Sequence, residues 1–238
     1  MKNLKIIIIL LIGLMFFGIA NSCSVKPGKN IKQHQKTSAS AFINKLDELG
    51  YYKYTDERLI GILKNHLFEN YYPNSEFVPY WDENTGFPPD FRYYSCDGET
   101  VYEEGGFTEL LEQVKPTFNK IGLKINVTDH FEEWDNKNKW LNHRITINGT
   151  EYIIFKNFKD YGWGEAVMRF TQIINQEIEN QGIKEKVYLV SGANDGRLIF
   201  LTQELYDYID SVYRDEQWKP LEVTQWMKVM GVKPMKLN

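Results

Sequence analysis

Residues 144–155, RITINGTEYIIF, constrain the fold more than any other stretch of the chain. Two alternating strands flank Asn148-Gly149, the dipeptide best suited to the two successive positive-φ residues of a type I′ hairpin turn. Such a turn sets the strand register, and a one-residue slip would turn the apolar face to water. The rest of the chain must therefore cover one face of a hairpin. Helical stripes are available for that. Phe42, Ile43, Leu46 and Leu49 line a helix over 38–49 with Gly50 as its stop. Thr55 is placed to cap a second helix running to 68, with Leu59, Ile60, Leu63 and Leu67 on one side. Thr108 is placed to cap a helix toward 121, and Pro116 predicts a kink in it or two short pieces. Val167, Phe170, Ile173, Ile174 and Ile178 predict an amphipathic helix over 163–180 with Gly182 just past its end. Further helices are expected over 203–213 and 224–230.

Other strands are expected over 123–127 and as a pair, 187–190 and 198–201, around the turn residues Asn194-Asp195-Gly196. Residues 91–96 and 99–102 predict another hairpin, with Asp97-Gly98 as the turn. The polar stretch 129–142 reads as a loop or a short helix. Hairpins dominate and no regular βαβ alternation occurs. The expected fold is a single α+β domain over 38–238, mainly an antiparallel sheet built from hairpins with helices packed on it.

The N-terminus fixes the compartment. Lys2 and Lys5 precede an apolar run over 6–19, and small or polar residues follow at Ala20, Asn21 and Ser22. This is the pattern of a signal peptide over 1–22, and the run is shorter than the ~20 residues of a membrane-spanning helix. Ala20-Asn21-Ser22-Cys23 resembles the lipobox of bacterial lipoproteins. The resemblance implies acylation of Cys23, palmitate among the chains, and anchoring on a membrane by the lipid alone. Ser24, where Asp would favour retention at the inner membrane, implies the outer membrane. Residues 23–37 are then the lipidated cysteine and a flexible lysine-rich tether. An ordinary secretory signal cleaved near Ser22 is the plainer alternative.

Loss of the leader removes two lysines, leaving 26 basic against 32 acidic residues, a net of −6. That balance argues against a nucleic-acid partner, whose binding domains are usually basic. With Cys23 acylated, Cys96 has no partner for a disulfide and reads as a small buried hydrophobe. The chain has four histidines and no GxSxG, HExxH, CxxC, EF-hand or phosphate-loop pattern. Asp129, His130, Glu132 and Glu133 form one local cluster with metal or acid/base chemistry in reach, and His66 with Glu69 reads as helix surface. No catalytic residue, metal ligand or cofactor is assigned.

The remaining candidate is a face. Residues 71–106 hold eight carboxylates against Arg92 alone, a local charge of −7, among many Tyr, Trp and Phe. Acidic charge steers a basic partner and aromatic rings supply contact energy. Trp81, Asp82, Glu83, Tyr93, Tyr94, Asp97, Glu99, Glu103 and Glu104 are the expected partner-binding residues. The residues 93–99, the Trp163 helix and 188–202 resemble, in style, the small α+β immunity proteins that accompany bacterial toxins. That resemblance implies a lipid-tethered inhibitor of a toxin acting at the envelope. A glycan- or small-ligand-binding lipoprotein using Trp81, Tyr93, Tyr94, Trp134 or Trp163 as a stacking platform is the alternative. A hydrolase without a recognisable motif ranks third.

Overall fold

Two short strands in the last quarter of the chain set the layering. The computed structural model describes residues 29–79 and 88–233, with side chains from position 38 onward. Strands β5 (Glu185–Val190) and β6 (Arg197–Thr202) pair antiparallel, with Val187 opposite Phe200 and Leu189 opposite Leu198. Both are apolar at successive positions, so both faces must be buried. Val187, Leu189, Leu198 and Phe200 enter one apolar cluster, while Tyr188, Val190, Ile199 and Leu201 enter another. The third strand, β1 (Tyr93–Ser95), lies on the other side of β6 and divides in the same way. Tyr93 faces the second cluster and Tyr94 the first.

One face of this sheet is covered by α1 (Lys29–Glu48), α2 (Glu57–Glu69) and α6 (Gln203–Val212). Ala39, Phe42, Ile43 and Leu46 are the buried stripe of α1, and the Phe42 ring packs against Tyr71, Phe77 and Tyr213 at 5.3, 6.3 and 5.6 Å. The other face is covered by α4 (Gly106–Ile121) and α5 (Trp163–Asn180), whose Phe107 and Phe170 rings meet at 5.2 Å. A second antiparallel sheet follows, β2 (Val127–Asp135), β3 (Trp140–Ile147) and β4 (Thr150–Phe158), in the order β2-β3-β4. Its Leu141, Ile145, Ile147 and Ile154 share the cluster with α5. Last comes α7 (Val223–Met230), whose Trp226 indole donates to Ser191 O. The outer edge of β5 is closed by a two-bond bridge between Leu189 and Leu221. The fold is a single α+β domain, as expected, and its strands form two three-stranded antiparallel sheets. No helix among the described residues is long and apolar enough to cross a membrane.

The Asn148-Gly149 turn forms with φ of 52° and 83°, and helix α5 has the predicted limits. Other elements differ. Helix α1 begins at Lys29, inside the stretch read as a tether, and α2 is capped by Asp56 rather than Thr55. Pro116 sits within one continuous helix, α4, that starts at Gly106. The hairpin expected at Asp97-Gly98 does not form. The Asp97 carboxylate accepts from Glu99 N at 2.9 Å and Thr100 N at 3.2 Å and so caps α3 (Gly98–Tyr102), while β1 pairs with β6 instead. An Asp before a helix satisfies orphan N–H groups that a hairpin turn would leave to the ladder. Residues 129–142, expected as loop or short helix, are most of β2 and the start of β3. Their turn is held by Asp135 Oδ1, which accepts from Lys137 N and Asn138 N at 2.9 Å each. The strand expected over 123–127 contributes only Val127.

Candidate functional site

The pairing of β2 with β3 gathers three side chains that the sequence separates. His130 and Glu132 are two apart on β2 and so share a face, and Glu132 lies directly opposite His143. That face turns toward the N-terminal corner of α4. His143 is 3% exposed, its ring edge-on to Phe107 at 5.5 Å, and Phe155 lies beyond at 6.5 Å. The Glu132 side chain is 7% exposed and that of His130 29%. The two Nε2 atoms of His130 and His143 stand 2.9 Å apart. Glu132 Oε2 is 4.0 Å from His130 Nε2, and Oε1 is 3.7 Å from His143 Nδ1. Suitable ligand atoms of the three residues all lie within 4.8 Å of one another.

The surroundings set the charge of this cluster. Burial, assisted by His130, pushes His143 down to about 4, so its imidazole is neutral near pH 7. Burial raises the Glu132 carboxyl, and Glu104 adds to this; the Gly105 N–H, which donates to Oε2 at 3.0 Å, and His130 oppose it. A 2.9 Å contact between two Nε2 atoms needs one ring to donate N–H and the other to accept, so the pair shares a single proton there.

The sequence cluster of Asp129, His130, Glu132 and Glu133 is divided by strand alternation. Asp129 and Glu133 lie on the outer face with Phe131, whereas His130 and Glu132 turn inward to meet His143. His143 was not among the expected site residues. Its signal was present in the alternation Leu141, His143, Ile145, Ile147, which places it on the buried face of β3.

The expected partner-binding residues that the structure describes do not share one exposed surface. Cys23, Trp81, Asp82 and Glu83 lie outside the described residues. Tyr93 and Tyr94 are core residues on opposite faces of the central sheet. The Tyr93 hydroxyl donates to Glu76 at 3.2 Å, and the Tyr94 hydroxyl meets Thr117 Oγ1 at 2.6 Å. Asp97 is a helix cap and Glu99 is half-buried in the first turn of α3. Glu103 and Glu104 are exposed, next to the Gly105 that binds Glu132.

An acidic and aromatic surface is present, but on β2. Its sequence, VTDHFEEWD, holds four carboxylates and no lysine or arginine. Phe131 is 36% and Trp134 44% exposed. On the outer face Phe131, Arg144 and Ile153 form one row across the three strands, with the Arg144 guanidinium 4.6 Å from the Phe131 ring. Arg144 is paired with Asp129 and Glu151 at 3.3 Å each, so it leaves little free positive charge on this face. Among the described residues, no strand pairs with the outer edge of β2.

Comparison with known proteins adds nothing to this geometry, because no family, curated protein or solved structure matches the chain.

Proposed function

We propose that the mature chain is an envelope lipoprotein, anchored through Cys23, that captures a basic protein partner along β2. A lipid-tethered inhibitor of an envelope-acting toxin is the specific form of this reading suggested by the resemblance above. The observation that carries it is the open edge of β2, with acidic Asp129, Glu133 and Asp135 beside exposed Phe131 on its outer face and half-exposed Trp134 on the other. An unpaired strand edge offers main-chain N–H and C=O groups to an incoming strand, and alternate side chains select which strand enters. Glu103 and Glu104 extend the acidic field around the α4 corner. The glycan alternative has less support among the described residues, where Tyr93 and Tyr94 are buried, Trp163 packs against the core and Trp134 is exposed; Trp81 lies outside them.

The test is capture of partners by tagged residues 24–238 from the cell of origin at low and high salt. It is repeated with the double variant Asp129→Lys, Glu133→Lys, which leaves Asp135 to hold the β2–β3 turn. A single stoichiometric partner, lost at high salt and lost with the variant while its circular dichroism is unchanged, is the expected result. No partner at either salt, or a partner held equally by the variant, overturns the proposal.

A further inference from the structure

We propose that His130, Glu132 and His143 bind one divalent transition-metal ion of the zinc class, an inference independent of the partner reading. The observation that points to it is the Glu132 carboxylate set against two imidazoles. It is nearly buried, receives one backbone N–H from Gly105, and has no lysine or arginine within 4 Å among the described residues. The groups beside it are two imidazoles that meet Nε2 to Nε2, and that contact needs a lone pair on one ring. A buried carboxylate without a cation is costly, and the strand pairing that creates this one also aims two nitrogen donors at it.

The distances suit an ion. Two nitrogens bound at about 2.0–2.1 Å in a tetrahedral site stand roughly 3.3 Å apart, against 2.9 Å between the two Nε2 atoms here. Separating the rings by a few tenths of an ångström replaces the shared proton with a metal. Glu132 Oε2, 4.0 Å from His130 Nε2, then closes in as the third ligand by rotation of its own side chain. Gly105 N–H holds that carboxylate from behind, and Phe107 and Phe155 flank the His143 ring, the kind of outer-shell support that orients ligands in metal sites. Two imidazoles and one carboxylate favour zinc, cobalt, nickel or copper over magnesium or calcium, which take oxygen ligands. His130 opens toward water, so the fourth position would be filled by solvent. The ion would tie β2 to β3 and to the start of α4.

The experiment uses metal-stripped residues 24–238 at pH 7.5. Zn²⁺ is titrated calorimetrically, and Co²⁺ is followed by its visible absorption, which is intense only in a tetrahedral site. One equivalent should bind. Replacement of the solvent-facing ligand, His130→Ala, should weaken binding by more than the roughly 100-fold that loss of an outer-shell partner can cost. Glu132→Gln should do the same, while the double control His34→Ala, His66→Ala should bind as the parent does. His130 and Glu132 lie on an exposed edge strand, so their variants are expected to fold, as circular dichroism will verify. Absence of binding, equal binding by His130→Ala, or displacement by equimolar Mg²⁺ overturns the proposal.

Discussion

The Asp90 carboxylate accepts the Tyr51 hydroxyl at 2.6 Å, across 39 positions of sequence and out of reach of solvent on both sides. Asp90 also accepts from Arg92 N at 2.9 Å and Tyr93 N at 3.3 Å. The Arg92 guanidinium, equally buried, donates to Tyr51 O at 2.7 Å, Phe200 O at 2.8 Å and Gly50 O at 3.2 Å. One arginine thus joins the corner after α1 to the middle strand of the central sheet. Removing a member of a buried charged network leaves its partners desolvated and unpaired. Arg92→Leu should therefore cost about 3–5 kcal/mol, read as a shift in the urea unfolding midpoint. A loss below about 1 kcal/mol, the scale of a single net hydrogen bond, would show that water repairs the three carbonyls. Arg58→Ala, which breaks an exposed pair with Asp56, should leave the midpoint in place.

His143 makes stability depend on pH. Its folded value of about 4 lies below the ordinary histidine value of 6.5, so between these limits the unfolded chain binds the extra proton. Stability is then full above about pH 6.5 and falls as the pH drops toward 4. Glu132, raised by burial, acts in the opposite sense over the acid part of that window. The clean measurement is the difference in unfolding free energy between parent and His143→Gln, both metal-stripped, at pH 7.5 and pH 5. The parent should lose more than the variant on acidification. Equal losses would mean that His143 is protonated in the fold.

Two glycines should respond in opposite ways to alanine. Gly61 lies in α2 with open space around its missing side chain, so Gly61→Ala should stabilise by about 0.5–1 kcal/mol through helix propensity. A Cβ at Gly106 would stand 1.7 Å from Thr100 O, a backbone atom that cannot move without opening the corner between α3 and α4. Gly106→Ala should lower the melting temperature despite the same gain in propensity. If both variants melt above the parent, the close approach at Gly106 is wrong.

Asp97→Ala separates a capping role from a binding one. Loss of the cap should cost about 1 kcal/mol of stability and leave partner capture unchanged. Glu133→Lys, on the exposed outer face of β2, should weaken capture and leave stability unchanged. The reverse pattern would return the binding face to 71–106.

Some of this fold could be read from the residues and some could not. Helix α5 and the hairpin at Asn148-Gly149 were legible because each carries one periodicity and one turn signal that agree. Strand β2 was not legible, because its inward positions hold His130, Glu132 and Trp134 instead of aliphatic residues and so show no apolar alternation. Asp97-Gly98 suits a hairpin turn and a helix cap equally. The choice was made by β6, about 100 residues away, which offers Tyr93 and Tyr94 the partners Ile199 and Leu198. The cluster of His130, Glu132 and His143 was half visible, since its third member appears only when β2 is recognised as a strand and laid against β3.

The apolar cluster beneath α1 and α2 is completed by Tyr188, Val190, Ile199, Leu201, Leu205, Ile209 and Tyr213. The first helices to be synthesised therefore have nothing durable to settle on until the final quarter of the polypeptide has followed them. Closing a gap as wide as the 108 positions between Arg92 and Phe200 costs chain entropy that nearby contacts do not repay. In a polypeptide delivered amino end first, the layer beneath α1 and α2 is therefore completed late, after the local β2-β3-β4 sheet can already pair.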